Sequence, residues 1–227
     1  MRPRSDRRQV TFTAKIARKG ANHESLADRV ARQPELLPEV LDGLGVNKPQ
    51  IKYGCSKVLR ILSQKQPAIL YPRFGFFVGL LDCDNSFLKW DAVRIVANLA
   101  AVDSEKKVEP MLGRYLQPIG GPVMITAATI IGSAARVALA KPELASRIVR
   151  ALLEVERAEY QTAECRNVAI GHAVESIGLF FDVLDTKEKA AVVEFARRQL
   201  ANRRNAVKKK AAVFLKRCGL EPSSRAA

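Results

Sequence analysis

The side chains best placed to do chemistry in this 227-residue chain are Cys165, His172 and Glu175. His172 follows Cys165 by seven residues and precedes Glu175 by three, so on one helix all three would share a face. A thiol near an imidazole is the start of a nucleophile pair. Such a pair also needs a group to orient the base and donors for an oxyanion, and the sequence signals neither. A histidine satisfied at a helix interface accounts for the same spacing. The other cysteines, Cys55, Cys83 and Cys218, are dispersed, so there is no CxxC motif for zinc or redox work. His23 is the one other histidine, which leaves a multi-histidine metal site without ligands. P-loop, GxGxxG, GxSxG and HExxH patterns are absent. These residues point to no catalytic, cofactor or metal site. Dispersed cysteines fit reduced, buried small hydrophobes, and the first twenty residues are charged with no apolar run, so a cytoplasmic chain is expected.

Charge is the stronger signal. The formal net charge is +15. Residues 1–20 hold seven basic residues and one acid, Asp6, and residues 197–217 hold nine basic residues and no acid. Between them, residues 21–196 carry 21 of each sign, a neutral body with two basic ends. A terminal helix needs a polar outer face, but polarity does not require one sign of charge. On a helix, Arg204 and Lys208 stack one turn apart, Lys209 and Lys210 broaden that face, and Arg203 flanks it near the turn. Val207, Ala211, Phe214 and Leu215 form the opposite, apolar stripe, so the core itself forces the cations outward together. Arg203, Arg204, Lys208, Lys209 and Lys210 are therefore candidate polyanion-binding residues. Lys57 and Arg94, in two helices of the body, are candidates for a partner-facing surface.

The elements that position these residues read as helices throughout. Hydrophobic residues make up 48% of the chain and aromatics only 6%, with a single Trp, a balance that suits helix packing better than a sandwich of strands. Pro, Gly, Asn and Asp punctuate expected helices at about 24–32, 34–44, 49–64, 68–82, 86–101, 104–117, 122–140, 142–158, 162–182, 186–202 and 204–217. Gln9 to Lys15 alternates weakly and reads as extended. The division expected is a basic flexible arm over 1–20, a helical repeat domain over 21–220 and a flexible tail over 221–227. Gly121 to Ala140 carries one charge, Arg136, and reads as the fully buried helix that the middle of a solenoid needs, not a membrane span. Tyr53, Phe74, Phe76, Phe77 and Phe87 are expected in the core or between repeats. They are not interleaved with the basic clusters as base-stacking platforms would be.

The helices recur in pairs. Lys52-Tyr53-Gly54-Cys55-Ser56-Lys57-Val58-Leu59 is followed by Lys89-Trp90-Asp91-Ala92-Val93-Arg94-Ile95-Val96, then by segments beginning at Ile125, Arg166 and Val207, at intervals of about 36 to 41 residues. Ala92, Val96, Leu99, Ile131, Ile170 and Val213 are expected at contacts between repeats, with Gly132, Gly171 and Gly178 allowing close helix approach. Leu80, Leu81, Asp82, Asp84, Val93, Arg94, Ala97, Leu99 and Ala100 match the Leu-rich helix, Asp turn and Val-Arg stripe of the HEAT consensus. On these residues the chain resembles the HEAT and armadillo-like helical repeat family over roughly 34–217. That resemblance implies an all-α solenoid of about five helix pairs and a habit of binding proteins or nucleic acids. One HEAT-like class, the alkylpurine DNA glycosylases, is enzymatic and has a cleft with several Trp residues and an Asp. Here Trp90 stands alone beside Asp91, and Arg94 follows where an acid would be needed. The functional expectation is a non-enzymatic scaffold for a protein partner. The alternative is a solenoid whose basic ends grip phosphates without reading sequence. Oligomeric state leaves no mark in the sequence.

Overall fold

The computed structural model describes residues 11–220. Its helices are α1 (Phe12–Ile16), α2 (His23–Arg32), α3 (Leu37–Asp42), α4 (Pro49–Lys65), α5 (Pro67–Leu70), α6 (Phe74–Gly79), α7 (Ser86–Leu99), α8 (Val108–Leu116), α9 (Met124–Ala140), α10 (Ala145–Leu153), α11 (Ala163–Phe180), α12 (Thr186–Gln199) and α13 (Asn205–Arg217). Short 3-10 turns link many of them, and the described residues contain no strand. The long helices α4, α7, α9, α11 and α13 begin 37, 38, 39 and 42 residues apart, and each packs beside the next. Helices α1, α2 and α3 precede α4, and α5, α6, α8, α10 and α12 lie in sequence between successive members of that row. The result is an all-α solenoid of about five helix groups.

Local chemistry sets the boundaries. Pro49 starts α4 at a position where its missing N–H costs nothing. The Asn85 side chain accepts from Leu88 N–H at 3.1 Å to start α7, and Thr162 does the same for Cys165 N–H at 3.1 Å in α11. Asp185 and Glu188 form a reciprocal capping box on α12. The expected single helices over 34–44 and 68–82 are each broken instead. Pro34, Pro38 and Pro72 lie inside those stretches and Pro67 just before the second, and each removes a helical hydrogen-bond donor.

The core runs the length of the stack. Ala92, Val96, Leu99, Ile131 and Ile170 are buried as expected, as are Val207, Ala211, Phe214 and Leu215. The stretch expected to be a buried helix is α9, which packs between α7 and α11 but is buried on one side only, with Ile125 and Leu139 each 51% exposed. No described helix is long and apolar enough to cross a membrane.

Four expectations need correction. The flexible arm cannot extend to residue 20. Phe12 and Ile16 of α1 are buried in the core, and Glu39 accepts hydrogen bonds from Thr13 N–H at 2.8 Å and Thr13 Oγ1 at 3.0 Å. Helix α1 also replaces the extended reading of Gln9 to Lys15 over the residues described. Residues 1–10 and 221–227, the rest of the expected arm and the tail, lie outside the described residues. Val213 is 69% exposed, because Val207, Ala211, Phe214 and Leu215 already fill the buried side of α13. Phe74 and Phe77 are buried, but Tyr53, Phe76 and Phe87 are exposed.

Candidate interaction surface

The sequence-predicted residues converge on one structural layer. Lys57 lies on α4, Arg94 on α7, and Lys208, Lys209 and Lys210 on α13, with Arg204 at its N-cap and Arg203 just before it. All the helices named belong to the row of long helices. That row carries thirteen Lys or Arg against three Asp or Glu, the acids being Asp91, Glu164 and Glu175. All other described residues carry twenty basic against eighteen acidic. The long helices therefore hold +10 of the +12 that the described residues carry. The neutrality of residues 21–196 conceals this. Within them, α4, α7, α9 and α11 are net +5 and everything else is net −5. A sum along the chain cannot detect a charge sorted by helix row.

Two of the five C-terminal candidates have partners in the preceding repeat. Arg204 pairs with Glu164, and Lys210 Nζ lies 2.9 Å from Glu175 Oε2. Arg203, Lys208 and Lys209 have no carboxylate within 4.0 Å among the described residues. On the first half of the row, Asp91 is the shared acid. It accepts from Ser56 Oγ at 2.7 Å and lies 3.1 Å from Arg60 and 3.5 Å from Arg94. Arg94 also donates to Trp90 O at 3.2 Å. Lys57 is exposed, and no carboxylate lies within 4.0 Å of it among the described residues.

Neutral hydrogen bonds fix the register between long helices. Asn98 Nδ2 donates to Ser63 Oγ at 2.9 Å, Trp90 Nε1 to Thr126 Oγ1 at 3.0 Å, and Ser176 Oγ to Ile131 O at 2.6 Å. Gly54 admits α1, since a Cβ there would meet Ile16 Cγ2 at 2.6 Å. Gly171 brings α13 close, with its absent Cβ 3.2 Å from Val207, whereas Gly132 faces open space and serves no contact.

The row also gathers exposed apolar side chains. Exposed Tyr53 and Phe87 form an aromatic cluster with half-buried Trp90 across α4 and α7, with ring centroids 5.3 and 5.4 Å apart. Ile125 and Leu139 on α9, Leu179 on α11 and Val213 on α13 are exposed as well. Lys57 sits one turn after Tyr53 and Arg94 one turn after Trp90, so aromatics and cations do alternate here, unlike the separation read from the sequence.

No hydrogen bond joins Cys165 to His172 among the described residues. His172 Nδ1 lies 3.9 Å from Glu175 Oε2. Burial and, after it, the nearby Lys210 ammonium hold the His172 pKa below its ordinary value, against the opposing pull of Glu175. Burial pushes the Cys55 thiol up to about 12, with Glu39 adding to the shift, so this thiol stays protonated and unreactive. Among the described residues no group of three His, Cys, Asp or Glu side chains is placed to hold a metal ion.

No family model and no curated protein sequence matches the chain. Solved structures do. A designed armadillo repeat protein shares 15% identity at a TM-score of 0.54, over 91% of this chain and 90% of that one. A second, in complex with peptide (KR)4, shares 14% identity at a TM-score of 0.56, over 90% and 89%. An engineered protein shares 12% identity at a TM-score of 0.52, over 93% and 90%. Likeness at these identities establishes the fold: the chain is an all-α solenoid of the armadillo and HEAT-like repeat class.

Proposed function

We propose that this chain is a non-enzymatic interaction scaffold that presents the exposed face of its long-helix row to a protein partner, and that the partner contributes an acidic segment. The observation that carries this reading is the sorting of charge, thirteen cations against three acids in five helices. Solenoid rows offer an extended surface rather than a closed pocket, so a partner is gripped along several repeats. A designed neighbour is in complex with peptide (KR)4, but a row of positive charge repels a basic peptide and attracts an acidic one.

The test is direct titration of the full chain with an eight-residue Asp-Glu peptide and with (KR)4, by fluorescence anisotropy. The acidic peptide binds and weakens as salt rises, while (KR)4 does not bind. Binding of (KR)4 with no binding of the acidic peptide overturns the reading.

A second reading rests on Arg203, Lys208 and Lys209, which have no acidic partner among the described residues. In it, the C-terminal helix holds nucleic-acid phosphates without sequence preference. Mixed duplex DNA would then bind with a log–log salt slope of about −0.9 per phosphate neutralised. Changing Lys208, Lys209 and Lys210 together to Gln would flatten that slope.

A further inference from the structure

Leu179 and Val213 are 63% and 69% exposed, more than any other large apolar side chain among the described residues. They come from different repeats, α11 and α13, yet line one groove of about 470 Å³ together with Val174, Gly178 and Phe214. Phe214 is itself buried and braced edge-on by Phe181, with ring centroids 5.2 Å apart. Gly178 lies against this ring on the α11 side, the position of its absent Cβ being 3.5 Å from the Phe214 ring. The floor is thus apolar and fixed before anything binds.

Cations border this floor. Lys209, Lys210 and Arg217 all line the groove, and Glu175 is its one acid. Glu175 is engaged by Lys210 at 2.9 Å, and Arg217 donates to Gly178 O. Lys209 is exposed, and no carboxylate lies within 4.0 Å of it among the described residues. We propose that this groove is a docking site for one protruding apolar side chain flanked by carboxylates, in an extended segment of a protein partner. This deepens the scaffold reading above and rests on it.

Charge complementarity selects that occupant. A second copy of the chain docking by two-fold symmetry would bring Lys209, Lys210 and Arg217 against themselves. Nucleic-acid phosphates would satisfy the cations but gain nothing from Leu179, Val213 and Phe214. A flat bilayer surface does not enter a notch between two helices. An acidic segment with one Leu-like residue satisfies both the floor and the rim.

The experiment compares eight-residue labelled peptides on the full chain: Asp-Glu peptides with a central Leu or a central Ser, and a Lys peptide with a central Leu. Burying a Leu side chain in a preformed apolar groove favours the acidic Leu peptide over its Ser counterpart by about tenfold. That advantage disappears in Leu179→Gln/Val213→Gln. Both positions are exposed, so the double variant keeps its fold, and an unchanged thermal melt verifies this. Lys209→Gln weakens binding of the acidic Leu peptide. Equal affinity for the two acidic peptides overturns the groove while leaving the charged row standing. A Leu advantage that survives the double substitution overturns it too, as does equal binding of the Lys-flanked peptide. Failure of every acidic peptide overturns both readings.

Discussion

The five long helices carry thirteen Lys or Arg against three Asp or Glu, while the other described residues carry twenty against eighteen. Both regions pack one face into the same core, so the core does not cause the difference. Packing demands that outward positions be polar and is indifferent to their sign. Outside the long helices, many charges have local tasks. Asp185 caps α12, Asp82 pairs with Arg114, Glu156 holds Arg198 at 2.6 Å, and Asp103 ties a turn together. Within the long helices, Lys65, Lys216 and Arg217 sit in last turns, where the helix dipole favours cations. Lys52, Lys57, Lys89, Arg136, Lys208 and Lys209 sit outside last turns and have no carboxylate within 4.0 Å among the described residues, and these six supply more than half of the row's excess of ten.

If one side of the row serves packing and the other serves binding, substitutions on the two sides must behave differently. The largest effect is expected from Val96→Asp in α7, which strands a charge at a position 1% exposed. We expect a loss of about 4 kcal/mol or more, read as a collapse of the thermal melt by circular dichroism. Lys57→Gln, at an exposed position of α4 with no carboxylate within 4.0 Å among the described residues, should shift stability by no more than about 1 kcal/mol. Next is Ile16→Ala in α1, expected to cost about 2–4 kcal/mol in chemical denaturation, because Ile16 fills the notch above Gly54. An unchanged midpoint would return residues 11–20 to a dispensable arm.

A smaller, pH-dependent effect is expected at Asp103. Burial would raise its pKa, but the Tyr71 hydroxyl at 2.7 Å, the Lys107 and Val108 N–H groups and Lys141 together hold it below the ordinary carboxylate value. Its ionised form therefore contributes stability above the unfolded-state pKa, and that contribution is lost as pH falls through the lowered value. Asp103→Asn should cost about 1–3 kcal/mol at neutral pH, and the gap to the unsubstituted chain should narrow in acid. A gap that stays constant down to pH 2 would contradict this.

Helix positions were legible because Asn85, Thr162, Asp185 and the prolines mark boundaries through backbone hydrogen bonding alone. Helix α1 was not, because five residues are too few for a periodic signal and its socket exists only where Gly54 lacks a side chain. Val213 was expected at a contact between repeats although it falls outside the Val207, Ala211, Phe214 and Leu215 stripe, two residues from Ala211 and so about 200° around the helix. Of the candidate surface, the cationic C-terminal helix was visible as an unbalanced run. The charge of the row was not, because acids in turns and short helices cancel it residue by residue along the sequence. The Leu179 and Val213 groove joins residues 34 apart and needed the packed helices to be seen.

The most direct measurement sets position against total charge. Lys57→Glu/Lys209→Glu on the long helices and Arg150→Glu/Lys187→Glu on α10 and α12 change the net charge equally, and all four side chains are exposed. Affinity of each double variant for the eight-residue Asp-Glu peptide is measured at one low ionic strength. Sorting of function by row predicts a loss of about tenfold or more in the first variant and little change in the second. Equal losses in both would mean that the peptide senses only the overall charge of the protein, and the long-helix row would have no claim to be its binding surface.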